Sequence, residues 1–136
     1  MKREESQHQQ ALIRWADSMW LPSMSLPHLA QWLPSGSAHV GDFLFAVPNG
    51  GRRDKITAAI LKSEGVRAGV PDLMLALPVG QHPGLFIEMK AQKTGRLSEA
   101  QRSWVERLRA AGYRVEVCHG WDAAKAVIED YLCAKA

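Results

Sequence analysis

An α/β fold, a small mixed β-sheet flanked by helices in the order α, β, α, β, β, α, β, α, follows from three observations on the 136-residue sequence. Apolar residues recur at helical spacing in four separate stretches, as a helix with one buried face requires. Between them lie four short apolar or alternating runs of strand length. Two of these runs, DLMLAL and LFIEMK, are joined by a loop short enough to make them an antiparallel hairpin.

The elements take their places in chain order. Glu5 to Met19 is a helix: Ile13, Ala16 and Trp20 fall at helical spacing with Leu12 beside them, Glu5 and Gln9 extend the same stripe, and Pro22 limits extension. Pro22 to Gly41 is irregular, rich in Pro and Ser, with room for a short helical turn before the next strand. Asp42 to Val47 is an apolar strand stopped by Pro48, and Asn49-Gly50-Gly51 is turn chemistry, with Asn49 a turn former. Arg52 to Glu64 is a helix with Ile56, Ala59 and Ile60 on one face and Gly65 as its stop.

Asp72 to Leu77 and Leu85 to Lys90 form the hairpin around Pro78 to Gly84. Ser98-Glu99-Ala100-Gln101 has the S-x-x-Q pattern of a capping box and opens a helix bearing Trp104, Val105, Leu108 and Ala111, which Gly112 ends. Tyr113 to Cys118 alternates in the manner of a half-buried strand. A last helix starts near Asp122 and runs through Ala126, Ile128 and Leu132.

The length suits one domain over residues 1–136, with enough chain to bury a core without disulfides or a structural metal. Two cysteines, Cys118 and Cys133, and an N-terminus without the apolar run of a signal peptide point to a reducing, cytoplasmic setting. The longest uncharged stretch, Ser18 to Gly41, holds Pro22, Pro27 and Pro34 and is too broken and too polar to span a membrane. The formal net charge is only +3, but residues 52–114 carry twelve Lys and Arg against six Asp and Glu, where residues 1–51 carry three against four and residues 115–136 two against four. A basic middle third favours a polyanionic partner, although a solvated basic surface has the same composition.

The charges within the hairpin are the unusual feature. Asp72 follows Pro71 and opens one apolar run, while Glu88 and Lys90 close the other. Side chains two apart on a strand share a face, so Glu88 and Lys90 project together and Ile87 and Met89 face the opposite layer. Symmetric pairing about the loop makes Asp72 and Glu88 cross-strand neighbours. Two carboxylates that close, partly buried, require either a proton or a cation between them. Hard oxygen donors suit Mg²⁺ or Mn²⁺, whereas the five His and two Cys lack the spacing of a zinc site. A lysine beside such an ion stabilises a nucleophilic hydroxide or the charge that builds on a phosphoryl group, and the second, electrostatic role is favoured for Lys90. The bland reading is a solvated strand face with a Glu–Lys ion pair.

Pro71-Asp72 followed by Glu88-Met89-Lys90 resembles the PD-(D/E)XK nuclease superfamily. Gly65-Val66-Arg67-Ala68-Gly69-Val70-Pro71-Asp72, with Gly95-Arg96-Leu97-Ser98 and Gln101 downstream, is similar to its VRR-Nuc branch. The likeness runs from the Glu/Gln-rich first helix to the last and is weakest over Trp20 to Gly41. It implies a restriction-endonuclease-like core and a metal-dependent phosphodiesterase. On that likeness Asp72 and Glu88 bind the ion, the Met89 carbonyl completes the set, Lys90 assists the attacking water, the first helix adds an acidic residue (Glu5, with Glu4 as rival), and the later helix adds Gln101.

Gln101 is equally explained as the third residue of the capping box. Arg67 and Arg96 are phosphate-pairing or merely solvated side chains. The stand-alone proteins of phages and bacteria that this chain resembles include homodimers that cut branched DNA such as four-way (Holliday) junctions. The Trp20, Trp32 and Leu33 region is then either a cover for the core or an interface. Rival readings are a flap- or sequence-selective nuclease and a module that binds branched DNA without cutting it.

Overall fold

A computed structural model describes residues 3–22, 38–48, 54–93 and 95–133. Four helices and four strands occur in the expected order: α1 (Arg3–Ser18), β1 (Leu44–Ala46), α2 (Lys55–Ser63), β2 (Leu73–Leu75), β3 (Leu85–Lys90), α3 (Glu99–Ala110), β4 (Arg114–His119) and α4 (Trp121–Cys133). The sheet order is β1-β2-β3-β4, antiparallel between β1 and β2 and between β2 and β3, and parallel between β3 and β4. The parallel pair is joined through α3, the crossover that a parallel step requires.

β3 is buried along its whole length. Leu85, Ile87 and Met89 point into the main core, which they share with Leu73 and Leu75 of β2, Leu12 and Ala16 of α1, and Ala124, Ile128, Tyr131 and Leu132 of α4. Phe86 points the other way, into a smaller core with Val105 of α3 and Val115 of β4. A strand covered on both faces reads as a continuous apolar run, and that continuity makes Glu88 and Lys90 conspicuous.

Several sequence expectations need correction. The first strand is shorter than Asp42 to Val47, because Val40–Asp42 is a 3₁₀ turn in which the Asp42 carboxylate accepts from His39 N–H at 2.8 Å. β2 likewise stops at Leu75 rather than Leu77. α2 begins at Lys55, since the Asp54 carboxylate caps it by accepting from Thr57 N–H at 2.7 Å. That contact, with the Thr57 hydroxyl behind it, lowers the Asp54 pKa. The α2 face of Ile56, Ala59 and Ile60 is not a core face: no residue of α2 is buried, and Ile56 is 75% and Ile60 53% exposed.

Trp20 does not continue the α1 stripe. The helix ends at Ser18, and the indole stacks on the His39 ring with centroids 3.9 Å apart. β4 is not half-buried by simple alternation, because α3 and α4 cover opposite faces and bury Val115 and Cys118 respectively. On α4 the buried stripe is Ala124, Ile128, Tyr131 and Leu132, and Ala126 lies exposed. Trp32, Leu33, Asn49 and most of the Pro22 to Gly41 stretch lie outside the described residues.

One buried polar contact ties α4 to the hairpin loop. The Tyr131 hydroxyl, 1% exposed as a residue, donates to the Leu77 carbonyl at 2.6 Å. Removing it leaves a buried carbonyl without that donor. Tyr131→Phe is therefore expected to lower unfolding free energy by about 1–3 kcal/mol in urea denaturation, with the slope on denaturant unchanged.

Candidate active site

The β2–β3 register pairs Leu73 with Ile87, and one further step outward sets Asp72 opposite Glu88. Two hydrogen bonds fix Asp72: its Oδ2 accepts from Met89 N–H at 2.7 Å, and its carbonyl accepts from Val47 N–H at 2.8 Å. Pro71, buried just before it, brings no N–H that would need a partner. The acid is held by neighbouring strands on both sides.

Glu88 is 1% exposed, and its Oε2 is buried with no hydrogen-bond partner among the described residues. Its pKa is pushed up to about 9, chiefly by burial, then by its contact with Asp72 and by the Asp72 charge. Lys90 pulls it down and Glu5 adds a little upward. The protein has built a carboxylate position that takes a proton or a cation and is unfavourable with neither.

Lys90, 7% exposed, does not pair with Glu88 as the bland reading required. Its Nζ donates to Gln101 Oε1 at 2.9 Å, and the ion pairs among the described residues are those of Arg114 with Glu116 and Asp130. Held by a neutral amide, the ammonium keeps its remaining N–H donors for a substrate. The two readings of Gln101 turn out to be compatible. Its Oε1 also accepts from Ser98 N–H at 2.9 Å, while Ser98 Oγ accepts from Gln101 N–H at 3.1 Å. Both donors meeting that atom are N–H groups, so the oxygen must face them and the amide orientation is fixed.

Two glycines of the quoted motifs have specific packing reasons. Gly69, at φ +92°, lies so close to the backbone of Ala100 and Gln101 that a Cβ would come within 2.5 Å of it. A Cβ on Gly95 would come within 2.6 Å of Lys90 Cβ. The Gly95 carbonyl is in turn 2.9 Å from His119 Nε2, at the end of β4. These approaches set α3 and its preceding loop against the lysine.

A cavity of about 300 Å³ opens at this end of the sheet, and Glu5, Asp72, Glu88, Met89, Lys90 and Gln101 all line it. Glu5, not Glu4, faces it: Glu4 is exposed one position away on α1. Ala46, Val47 and Pro48 form a wall after β1. Gln9 also lines the cavity, and its place four residues along the Glu5 stripe was the signal that could have marked it. Arg67 and Arg96 do not line it; Arg67 donates instead to the Lys62 carbonyl at 3.2 Å, near the end of α2.

The residues fit a hard divalent cation. Glu88, which carries an orphaned buried oxygen, is in contact with the Asp72 carboxyl, and among the described residues no third His, Cys, Asp or Glu joins these two in a metal-binding cluster. Mg²⁺ and Mn²⁺ accept one or two protein carboxylates and complete their shells with other oxygens and water.

The model of the VRR-NUC domain matches residues 3–122, which span every residue of this cavity. The chain belongs to the VRR-NUC domain family. A solved structure described as a VRR_NUC domain protein superposes with a TM-score of 0.74 at 26% identity, over 96% of this chain and 89% of that one. Comparison with curated proteins gave no match. Membership makes this a nuclease-type α/β domain, and no described helix is long and apolar enough to cross a membrane.

The Glu88 shift has a definite sign in the cation-free protein. The folded state keeps a proton that the unfolded state gives up, so this contribution is intact below pH 4.5, declines as pH rises, and is gone above about 9. Glu88→Gln removes the dependence. Melting in EDTA is expected to show the variant gaining on wild type steadily across that window, whereas a constant difference would contradict the shift.

Proposed function

We propose that this protein is a Mg²⁺- or Mn²⁺-dependent, structure-selective DNA endonuclease that hydrolyses phosphodiester bonds at branched DNA such as Holliday junctions. The observation that carries the proposal is the buried Glu88 Oε2, without a hydrogen-bond partner among the described residues, on a side chain in contact with Asp72, with the Lys90 ammonium on the same strand face and in no ion pair with a described carboxylate. That combination offers carboxyl oxygens to a cation and an ammonium to a phosphate within one cavity.

Asp72, Glu88 and the Met89 carbonyl would hold the ion, with Glu5 at the margin, and its chemistry is to acidify water and polarise the scissile phosphate. The chain's residues do the rest. Asp72, anchored by Met89 N–H and Val47 N–H, keeps the two carboxylates at a fixed spacing. Lys90 places its ammonium where charge accumulates on the non-bridging oxygens as the phosphorane-like transition state forms. Gln101 holds that ammonium without neutralising it, and the α3 cap holds Gln101.

DNA as the partner accords with the basic middle third of the chain and with the nuclease-type family. A homodimer belongs to the same proposal, since a two-fold axis would present two sites to strands of opposite polarity. β1 is an edge strand of the described sheet, and it and the apolar exposure of Phe45, Ile56 and Ile60 suit a second copy as the occupant. A cytoplasmic setting completes the reading.

Cleavage of junction, flap and linear duplex with Mn²⁺ tests the activity. Junction nicking that EDTA abolishes is expected; binding without any cutting of the three would overturn the enzyme. Lys90→Met should slow cutting by about 10²–10³-fold with metal and DNA binding retained, and unchanged turnover would refute its role. Asp72→Asn should weaken Mn²⁺ binding as well. A solution mass of one chain would exclude the dimer.

A further inference from the structure

Gln9 stands one turn along α1 from Glu5 and lines the same cavity as Asp72 and Glu88. Its Oε1 is buried with no hydrogen-bond partner among the described residues. Among the described residues three buried side-chain polar atoms lack partners; one is the Trp15 indole nitrogen, and the other two, Gln9 Oε1 and Glu88 Oε2, belong to residues of this cavity. Both are acceptors. The Lys90 ammonium, on the same cavity, donates to Gln101 Oε1 and makes no hydrogen bond to either of these oxygens.

Two buried oxygens on residues that border one cavity, with no described donor reaching either, call for a common electropositive partner. We infer that the Gln9 carboxamide oxygen is a further donor to the coordination shell of the divalent cation, entering from α1 alongside the Asp72 and Glu88 carboxylates. This inference rests on the metal reading of the proposed function and adds a residue to it. A carboxamide oxygen is hard enough for Mg²⁺ or Mn²⁺ and carries no charge. That neutrality matters here, because Glu5 and Asp72 already oppose ionisation of Glu88. Glutamine adds an oxygen without adding to that repulsion.

The opposite role is chemically distinct. If the amide turned its NH₂ inward, it would serve the carboxylates as a donor and have nothing to offer a cation. Gln9→Glu keeps the acceptor oxygen and deletes the donor, whereas Gln9→Leu deletes both. Calorimetric titration of the full chain with MnCl₂, without DNA, separates the roles. Wild type is expected to bind Mn²⁺, Gln9→Leu to bind roughly ten- to hundredfold more weakly, and Gln9→Glu at least as tightly as wild type. Equal affinity of wild type and Gln9→Leu, or parallel loss in both variants, overturns the role of Gln9 and leaves the metal reading standing. Absence of Mn²⁺ binding by wild type removes that reading and this one together. Circular dichroism checks folding of each variant, and if Gln9→Leu does not fold, the Gln9→Glu titration decides.

Discussion

Two carboxylates facing one another across the open end of a hairpin, one of them almost completely buried, are the constraint on which the rest of this molecule turns. Ionised together in a poorly solvated place they would repel, and burial with Asp72 alongside pushes the Glu88 carboxyl pKa up to about 9. The structure sustains the pair by setting Glu88 in a strand packed on both faces, so that β3 cannot twist the acid out to water. What would be a defect in an ordinary core is, on the proposed reading, a place for positive charge.

The elements around the pair each contribute one boundary. Val47, just after β1, fixes the Asp72 backbone, and β3 fixes its carboxylate through Met89. α3 approaches over Gly69, delivering Gln101 to Lys90. α1 lays Leu12 and Ala16 on the main core and, by the same stripe, carries Gln9 and Glu5 out over the cavity. The site thus sits where an apolar helix stripe and an apolar strand face both change to polar residues at the same end of the sheet. Charge-bearing side chains are positioned by the periodicities that build the core, and their geometry needs no separate scaffold.

Much of this was legible in the sequence because it follows from periods of two and 3.6. The hairpin register, the opposition of Asp72 to Glu88, the shared face of Glu88 and Lys90, and the capping box at Ser98 all follow from spacing. Illegible were features that depend on neighbours distant in the chain. That Lys90 would choose Gln101 over Glu88 depends on how closely α3 approaches, which Gly69 and Gly95 permit but do not announce. The exposure of Ile56 and Ile60 was hidden for the same reason: an amphipathic pattern shows that a helix has an apolar face, not that its own domain covers it. At Asp42 and Asp54 local hydrogen bonds accepted by the carboxylates overrode the expected element starts.

The central claim is that Asp72 and Glu88 are held together by design for a divalent cation. The most direct measurement is anomalous diffraction from a crystal soaked in manganese. The account predicts a single strong class of anomalous peak lying between the two carboxylates, within the cavity bordered by Gln9 and Lys90. A well-ordered site with both carboxylates visible and no peak between them, at manganese concentrations that saturate solution binding, would contradict it.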